Sequence, residues 1–256
     1  MEFGGDTGLW QRKIAESREG VARRLVTIEA LTLATGQSVL DLGCGGGHLV
    51  KEIGLAVGEA GKVIGVDSNP EQLESASILC EGLSQTELVN GSATDLSIES
   101  NSINSVASIQ VLDYVADVDT AIREIRRVLR IGGKVALISV LWDHWRFHGA
   151  DPLLNERIFE VWRDHCTHQM LPLEMPEKLS AAGFQGVIQK PIGFMNGNMH
   201  ENAFAYFASK LVASFAISKG ISQEDVQLWL RQLAEADKAG RFGFVSMPVL
   251  TSAVAA

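Results

Sequence analysis

The segment VLDLGCGGGHLV, residues 39–50, places four glycines directly after a short apolar run that contains an acid. Glycines lack a Cβ atom, so they let a backbone approach a ligand closely and adopt positive φ angles. A triphosphate-binding loop would need a lysine followed by Ser or Thr after its last glycine. His48 and Leu49 stand there instead. The turn is therefore predicted to hold a ligand other than a triphosphate.

A dinucleotide-binding turn is the second interpretation of these glycines. Its fingerprint, G-x-G-x-x-G, uses the third glycine for close packing of the helix on the strand. Counting from Gly43 and Gly45 puts His48 at that position, and counting from Gly45 and Gly47 puts Val50 there. The fingerprint fails in both registers. A degenerate version, and with it a nicotinamide-dependent oxidoreductase, stays an alternative.

Three acids lie at the ends of three successive predicted strands. Asp41 precedes the glycines, where a carboxylate suits a cationic ligand better than a pyrophosphate. Asp67 ends the second strand, where it can accept both hydroxyls of a ribose in charge-assisted hydrogen bonds. Asp95 ends the third, where it can accept from an adenine amino group while Leu96 packs on the ring. Together they predict a site for a cationic adenosine compound.

Residues that could contact a second substrate follow the fifth predicted strand, in LWDHWRFHGADP. His144 or Asp143 could act as a general base, although His144 and His148 also suit a helix surface. No third ligand stands near these histidines in the sequence, so no metal site is predicted. The candidate substrate-binding residues are aromatic or apolar side chains, several of which would equally suit the core of a covering helix: Trp10, Trp142, Trp145, Phe194, Met199 and Phe204.

Alternating strands and helices must position these residues. A helix is predicted within 17–33, from apolar residues at helical spacing. Strands that alternate with helices in this way form a parallel sheet covered on both faces, with ligands bound beyond the carboxyl ends of the strands. The five predicted strands are SVLDLG, KVIGVD, ELVNGSATDL, SINSVASIQVL and IGGKVALISV, and the helices between them are HLVKEIGLAV, NPEQLESASILCEGL and VDTAIREIRRVLR.

The regular alternation of strands and helices ends at about residue 140. Two helices are predicted in LLNERIFEVWRDHC and EMPEKLSAAGF, followed by a sixth strand in QGVIQKPIGF. One apolar helix covers 200–219, and a second begins at Ser222, with Asp225 three residues later as in a capping box. The closing stretch RFGFVSMPVLTSAVA is predicted to be an antiparallel strand at the sheet edge. Two helices are thus inserted before the last strand, where they can cover the ligand crevice.

These elements predict one domain over 1–256 with an α/β fold, a seven-stranded, doubly wound, mostly parallel sheet with a helical cap. Leading helices are assigned to 1–35, a cofactor-binding half to 36–140 and a substrate half to 141–256, with the cap at about 199–240. A length of 256 residues suits one such domain.

Composition and charge limit the partners. A net charge of −9 argues against a nucleic-acid groove, which needs a clustered positive surface. The three cysteines are widely separated and predict neither a disulfide framework nor a metal site. The start, MEFGGDTGLW, lacks the pattern of a secretion signal, and no segment is long and apolar enough to span a bilayer. We therefore expect a cytoplasmic protein with no nucleic acid and no membrane as partner.

Taken in order, these segments resemble the class I, Rossmann-like S-adenosylmethionine-dependent methyltransferases, and within them the small-molecule branch that includes the quinone-ring methyltransferases. VLDLGCGGG is similar to the first motif of the family, IGVDSNPEQLE to its ribose segment and GSATDLS to its adenine segment. The resemblance covers about residues 20–140. The chain departs from the family at Ile131, where proline is usual before the glycine pair.

The resemblance implies a role for each matching position. Asp41 would act on the cationic part of the cofactor and Asp67 would bind the ribose. The Gln110 backbone would meet the amino-acid portion of the cofactor. The remaining cofactor-binding positions are the glycines under the methionine part, Gly43, Gly45 and Gly47, and the adenine neighbours Ser68, Asn69, Asp95 and Leu96.

The expected reaction is transfer of the methyl group of S-adenosylmethionine to a small-molecule metabolite in biosynthesis, giving S-adenosylhomocysteine. The fourth strand ends in IQVLDYV, which differs from the run found in enzymes that methylate bases of nucleic acids. Two alternatives stay open besides the oxidoreductase. One is an enzyme that uses the same cofactor for cyclisation or group loss, and the other is a cofactor-binding regulatory subunit.

Overall fold

The computed structural model describes residues 5–256, so the first four residues of the stretch used to judge a secretion signal lie outside it. The cofactor-side half alternates helices and strands: α1 (Gly5–Glu16), α2 (Arg18–Leu31), β1 (Ser38–Leu42), α3 (His48–Val57), β2 (Lys62–Asp67), α4 (Pro70–Leu79), β3 (Thr86–Asn90), β4 (Ile103–Ile109), α5 (Val118–Val128) and β5 (Leu129–Val140).

The rest of the chain adds the last strands of the main sheet and the helices that cover it. Its elements are β6 (Arg146–His148), α6 (Pro152–Trp162), α7 (Leu171–Ala181), β7 (Phe184–Pro191), β8 (Phe194–Asn196), α8 (Phe204–Ser218), α9 (Gln223–Lys238), β9 (Gly243–Ser246) and β10 (Pro248–Ala255). Short 3₁₀ turns lie at Leu112–Tyr114, Trp142–His144 and Arg163–His165.

Side-chain caps set several helix starts. The Ser17 hydroxyl accepts from the Gly20 amide at 3.1 Å at the start of α2. Asn69 caps α4, whose first residue is a proline that lacks the amide hydrogen. The Ser222 hydroxyl accepts from the Asp225 amide at 3.1 Å, so the predicted cap of the ninth helix is confirmed.

The main sheet has seven strands in the order β3-β2-β1-β4-β5-β10-β7. β1 to β5 pair in parallel, and β10 runs antiparallel to both β5 and β7. The predicted seven-stranded, mostly parallel sheet is therefore confirmed, as is the insertion of α8 and α9 before the last strand. The order reverses between β1 and β4, which leaves a crevice beyond the carboxyl ends of those two strands.

The predicted place of the last strand was wrong. β10 lies between β5 and β7, and β7 is the edge strand. The physical reason is burial: most of β10 is buried, whereas β7 is mainly exposed. The closing stretch also divides at Met247, and its first part, β9, pairs with β6 and β8 in a separate three-stranded sheet that was not predicted.

A large aromatic core joins this small sheet to the cap. Phe147 of β6 and Phe244 of β9 lie with their ring centroids 4.4 Å apart, and Trp229 of α9 meets Phe147 edge-on at 5.4 Å. All three side chains are fully buried. The cap is thus packed on a rigid aromatic base rather than held by loops alone. Within residues 5–256, no helix is long and apolar enough to cross a lipid bilayer.

Candidate functional site

A cavity of about 810 Å³ opens at the carboxyl ends of the central strands. Its size falls within the range of small-molecule sites, about 300–1,000 Å³. It runs from the glycine turn after β1, past α2 and the end of β4, to an aromatic wall after β5. The sequence-predicted residues that line it are Asp41, Gly43, Gly45, Asp67, Ser68, Gln110, Trp142, Trp145 and Phe204.

The glycine turn folds tightly because its backbone is in the left-handed region. Gly43, Gly45 and Gly47 have φ angles of 73°, 50° and 83°. A Cβ atom on Gly43 would lie 2.1 Å from the Val111 side chain, and one on Gly47 would lie 2.9 Å from the Cα of Ala76 in α4. Gly45 has open space there, with its nearest neighbour at 4.0 Å. Gly43 and Gly47 thus permit packing, while Gly45 presents bare backbone to the cavity.

Asp67, at the tip of β2, ties the turn to the start of α4. Its Oδ2 accepts from the Gly45 amide at 2.8 Å, and its Oδ1 accepts from the Asn69 amide at 2.9 Å. A carboxylate has about four lone-pair positions. Asp67 can therefore hold the turn and still accept from the hydroxyls of a ribose.

Asp41 is the buried acid beneath the turn. Burial and, to a smaller extent, the nearby Asp67 carboxylate raise its pKa to about 8, against the opposing effect of Arg24. Its Oδ2 atom is buried without a hydrogen-bond partner. A buried carboxyl oxygen without a partner, on a residue that lines the same cavity as the glycine turn, suits a positively charged ligand, so the residues present fit a sulfonium and ammonium compound.

The side of the cavity that was predicted to bind adenine differs from the prediction. Ser68 lines it, but Asn69 does not, because its side chain caps α4 by accepting from the Glu71 amide at 2.9 Å. β3 ends at Asn90, so the wall here is formed by Gly91, Ser92, Ala93 and Thr94. Asp95 is exposed and Leu96 is buried in the core, and the predicted adenine contacts of these two residues find no support in the lining.

Gln110 and Arg23 face the middle of the cavity. Gln110 follows β4 with a φ of 56°, and its side-chain oxygen accepts from Nη1 of Arg23 in α2. Arg23 is only 4% exposed, and burial lowers its pKa to about 10. Arg23 was not among the residues predicted from the sequence. The signal that could have revealed it is its place on the buried face of α2, between Gly20 and Thr27.

The aromatic wall after β5 includes residues that the sequence did not single out. Trp142 and Trp145, predicted to bind substrate, meet edge-on at 5.3 Å. His165 also lines the cavity, fully buried, and stacks on Trp162 at 4.0 Å. In the sequence His165 stands at the end of the helix predicted in LLNERIFEVWRDHC, where nothing distinguishes it from a solvent-exposed residue. Tyr114, Cys166 and Thr167 complete this part of the lining.

The protonation state of His165 follows from its surroundings. Burial lowers its pKa to about 3, so the ring is neutral at pH 7. Its Nδ1 lies 2.7 Å from the backbone oxygen of Trp162, which can only accept. Nδ1 therefore carries the hydrogen and Nε2 carries the lone pair.

Three predicted substrate residues lie behind the wall rather than on it. Trp10 of α1 stacks on Phe207 at 6.2 Å, which joins α1 to the cap. Phe194 packs edge-on against Phe204 at 5.0 Å. Met199 is partly buried against the aromatic core. Their direct contact with a substrate stays a prediction.

The two candidate bases are not on the cavity. His144 is exposed, and Asp143 forms an ion pair with Arg163 at 2.8 Å. They point away because the 3₁₀ turn that contains them buries Trp142 instead. A catalytic role for either residue finds no support in this geometry and stays a prediction. No group of three or more metal-ligating side chains occurs among residues 5–256.

The family profile and two relatives that match more than half of this chain are all described as methyltransferases. The profile described as "Methyltransferase domain" matches residues 40–137. A demethylmenaquinone methyltransferase of Oceanobacillus iheyensis is 37% identical over 163 residues, which are 59% of this chain and 68% of that protein. The O-methyltransferase resE of Aspergillus sclerotiorum is 28% identical over 188 residues, 70% of this chain and 67% of that protein.

Some matches are shorter. An uncharacterized 37.1 kDa protein in transposon TN4556 of Streptomyces fradiae is 40% identical over 118 residues, but these are only 34% of its length. The chain spans about half of several other bacterial relatives.

Solved structures support the fold alone. The YcgJ protein of Bacillus subtilis superposes with a TM-score of 0.64 at 20% identity, covering 92% of this chain and 98% of that one. The [4+2]-cyclase SpnF superposes with a TM-score of 0.60 at 22% identity, covering 92% and 82%.

Proposed function

This chain belongs to the class I, Rossmann-like S-adenosylmethionine-dependent methyltransferases, and we propose that it methylates a small, partly apolar, ring-containing metabolite in biosynthesis. S-adenosylmethionine is accordingly its cofactor. One observation carries the proposal: a single cavity of about 810 Å³ joins the glycine turn to an aromatic wall. Donor and acceptor can therefore occupy the same cavity.

The residues of the turn would hold the cofactor. Gly43 and Gly45 would lie under its methionine part, Asp67 would accept from the ribose, and Ser68 with residues 91–94 would flank the adenine. Asp41 would balance its positive charge. When bound, the cofactor supplies a methyl group activated by the positive sulfur. The protein contributes position and exclusion of water, which can lower a barrier by several kcal/mol.

The far wall indicates the kind of acceptor. Trp142, Trp145 and Phe204 provide flat apolar surface. His165 adds a neutral polar ring to this wall, so the wall gains polarity without gaining charge. The name of the Oceanobacillus iheyensis relative indicates a quinone acceptor for that protein. A fused aromatic ring of that kind suits these walls.

The acceptor is proposed to be free in the cytoplasm, with neither nucleic acid nor membrane as a partner. The net charge of −9 supports this, because phosphate-rich partners need a positive surface. The three cysteines are unpaired, as expected in a reducing compartment. The assignment of residues 36–140 to the cofactor and 141–256 to the acceptor is part of the same proposal.

Calorimetry with S-adenosylmethionine, S-adenosylhomocysteine and NAD tests the cofactor assignment. We expect binding of the first two only, and at least a tenfold loss of affinity in Asp67→Ala. The matched control is Asp119→Ala, an exposed acid that pairs with Lys178 at 2.9 Å away from the cavity. Binding of NAD alone, or unchanged affinity in Asp67→Ala, would overturn the assignment.

The reaction is tested with a naphthohydroquinone as the acceptor probe. We expect equal amounts of S-adenosylhomocysteine and methylated product by mass spectrometry. Formation of methylthioadenosine, or a rearranged product without a methyl group, would instead assign the chain to the cyclisation or lyase alternative.

A further inference from the structure

Tyr114 joins two parts of the cavity wall. It ends the 3₁₀ turn that follows β4, and its partly exposed side chain lines the cavity. Three residues earlier, the side chain of Val111 lies against the glycine turn, where a Cβ atom on Gly43 would meet it at 2.1 Å. The Tyr114 ring meets His165 of the aromatic wall edge-on, with ring centroids 5.8 Å apart. Tyr114 therefore stands between the side proposed for the cofactor and the side proposed for the acceptor.

Backbone hydrogen bonds hold the chain on both sides of Tyr114. Before it, the backbone oxygen of Asp113 accepts from the amides of Thr167 and His168 at 3.0 Å each. After it, the backbone oxygen of Val115 accepts from Nε2 of His168 at 2.9 Å. Because the backbone is fixed in this way, Tyr114 can bind a ligand with a small loss of conformational entropy.

Two polar hydrogens of the neighbouring aromatic wall are used within the protein. The Trp142 indole donates to Asp113 at 3.1 Å, and Nδ1 of His165 donates to the backbone oxygen of Trp162 at 2.7 Å. A phenol hydroxyl both donates and accepts hydrogen bonds, so Tyr114 can bond an oxygen of a ligand in addition to a group of the protein. Tyr114 therefore gives this part of the cavity a polar group that can contact a ligand.

The hydroxyl of Tyr114 keeps its hydrogen at pH 7. Burial raises its pKa well above the usual value, the charges of Asp113 and Cys166 act in the same direction, and Arg23 opposes them. Arg23 and Cys166 both line the cavity, so groups from two of its walls act on this hydroxyl. A hydroxyl that stays protonated serves as a hydrogen-bond donor to a ligand and not as a base.

We propose that Tyr114 determines acceptor specificity by donating a hydrogen bond from its hydroxyl to an oxygen on the acceptor ring. A ring with a hydroxyl or carbonyl group at that edge is then preferred to a ring of the same shape without one, and its oxygen-bearing edge is turned toward the cofactor. This role of Tyr114 rests on the proposed function, because the cavity is taken to hold the cofactor together with a ring-containing acceptor.

Calorimetry on the protein saturated with S-adenosylhomocysteine tests this role with 1-naphthol and 1-methylnaphthalene. The two probes have nearly the same shape, but a methyl group cannot accept a hydrogen bond. We expect wild type to prefer 1-naphthol by about 3- to 10-fold, the range for one net hydrogen bond. Tyr114→Phe keeps the ring and loses the hydroxyl, so the ratio of the two affinities should shift toward 1-methylnaphthalene by roughly tenfold, because the bound naphthol hydroxyl then lacks a partner.

The matched control is Tyr206→Phe, at the other tyrosine of the chain. Tyr206 belongs to α8, packs edge-on against Phe207 at 5.4 Å and is not part of the cavity lining. We expect this variant to leave the ratio of the two affinities unchanged. Both variants should bind S-adenosylhomocysteine as wild type does, which separates loss of the hydroxyl from a general loss of structure.

Equal affinity for both probes in wild type, or a preference for 1-methylnaphthalene, would contradict the role of Tyr114 whether or not Tyr114→Phe folds. An unchanged ratio in Tyr114→Phe, or the same shift in Tyr206→Phe, overturns this role as well. In each of these cases, retained binding of S-adenosylhomocysteine and of the probes leaves the proposed function in place. A protein that binds neither probe overturns the role of Tyr114 and the ring-containing acceptor together, and one that also fails to bind S-adenosylhomocysteine overturns the whole proposed function.

Discussion

The indole Nε1 of Trp142 donates a hydrogen bond to Oδ1 of Asp113 at 3.1 Å, and the amide of Val140 donates to the same oxygen at 3.1 Å. The backbone oxygen of Asp113 also accepts from the amides of Thr167 and His168, at 3.0 Å each. Asp113 itself is fully buried. Asp113, which follows β4, therefore holds both Trp142 of the aromatic wall and the segment that follows His165.

We expect Asp113→Ala to weaken acceptor binding at least tenfold while leaving S-adenosylhomocysteine affinity within twofold. The physical reason is that Trp142, at the end of the cavity where we propose that the acceptor binds, loses the hydrogen bond that fixes its indole. The buried indole and amide hydrogens would lose their acceptor, and each loss should lower the free energy of unfolding by about 1–3 kcal/mol. Acceptor KM and urea denaturation measure the two effects.

The control is Asp113→Asn, whose side-chain oxygen can accept the same two bonds. Burial raises the pKa of Asp113 to about 7, so the protein already tolerates a neutral group at this position. Trp142→Phe should weaken acceptor binding less in the Asp113→Ala variant than in wild type, because the hydrogen bond between the two residues is already lost. Additive effects of the two substitutions would show that Asp113 does not act through Trp142.

Cofactor affinity is expected to rise with pH between 6 and 8 because of Asp41. Burial holds the pKa of this carboxyl at about 8, so it is mostly protonated at pH 7 in the free protein. A cationic ligand favours the carboxylate and lowers its pKa, so binding releases a proton. The affinity gain is roughly tenfold over this range. Calorimetry in buffers of different ionisation enthalpy measures the released protons.

The matched variant is Asp41→Asn, which cannot ionise. The amino group of the cofactor also titrates in this range, since free α-amino groups have a pKa near 8. Because Asp41→Asn lacks the carboxyl group, the pH dependence of its cofactor affinity reports the contribution of this amino group alone. We expect Asp41→Asn to match wild type within a few-fold at pH 6 and to bind about tenfold more weakly at pH 8. Proton uptake on binding, or identical pH profiles, would contradict the role of Asp41.

The sequence was sufficient to predict that the residues proposed to bind the cofactor lie together, because local patterns determine their positions. Gly43, Gly45, Asp41 and Asp67 depend on one strand–turn–helix unit and the tip of the neighbouring strand. Strand and helix periodicity is therefore enough to bring these four residues together. The wall of the cavity beyond β3 is formed by residues 91–94 rather than by Asp95 and Leu96 because β3 ends at Asn90, a boundary that periodicity does not define.

The acceptor side depends on long-range packing, which the sequence does not display. His165 and Arg23 are separated by more than half of the chain, so helical spacing can place Arg23 on the buried face of α2 but cannot bring the two residues to one cavity. The small sheet of β6, β8 and β9 uses strands of three or four residues, too short for an alternation pattern. The 3₁₀ turn before β6 leaves His144 exposed and places Trp142 on the cavity.

We expect His165 to lower the stability of the folded protein at acidic pH. Burial depresses its folded pKa to about 3, well below the usual 6.5. The stability that it contributes is therefore complete above pH 6.5 and is lost as the pH falls toward 3, because the unfolded chain takes up a proton first. Between pH 6.5 and 5 the free energy of unfolding should fall by up to about 2 kcal/mol from this residue.

His165→Asn tests this origin, since its amide hydrogen can replace Nδ1–H but cannot titrate. Urea denaturation at pH 7 and pH 5 should show a smaller loss in the variant than in wild type. His148→Asn, an exposed histidine of β6, is the control and should lose as much as wild type. Equal losses in wild type and His165→Asn would place the acid sensitivity elsewhere.

Alanine substitutions should separate the packing glycine from the ligand-facing glycine. Gly36→Ala is the reference, because Gly36 has a φ of 83° and a Cβ atom added there would have no neighbour closer than 3.9 Å. Its φ angle alone should lower the free energy of unfolding by about 1–2 kcal/mol. Gly47 has the same φ, and its added Cβ would meet α4 at 2.8 Å, so Gly47→Ala should cost a further 1–3 kcal/mol or so.

Gly45→Ala should destabilise the fold about as little as Gly36→Ala, because its Cβ would point into open space. We propose that the cofactor occupies that space, so S-adenosylhomocysteine affinity should fall at least tenfold, while Gly36→Ala leaves it unchanged. Urea denaturation and calorimetry on the three variants provide both quantities. Full S-adenosylhomocysteine affinity in Gly45→Ala would mean that the ligand does not lie against this turn.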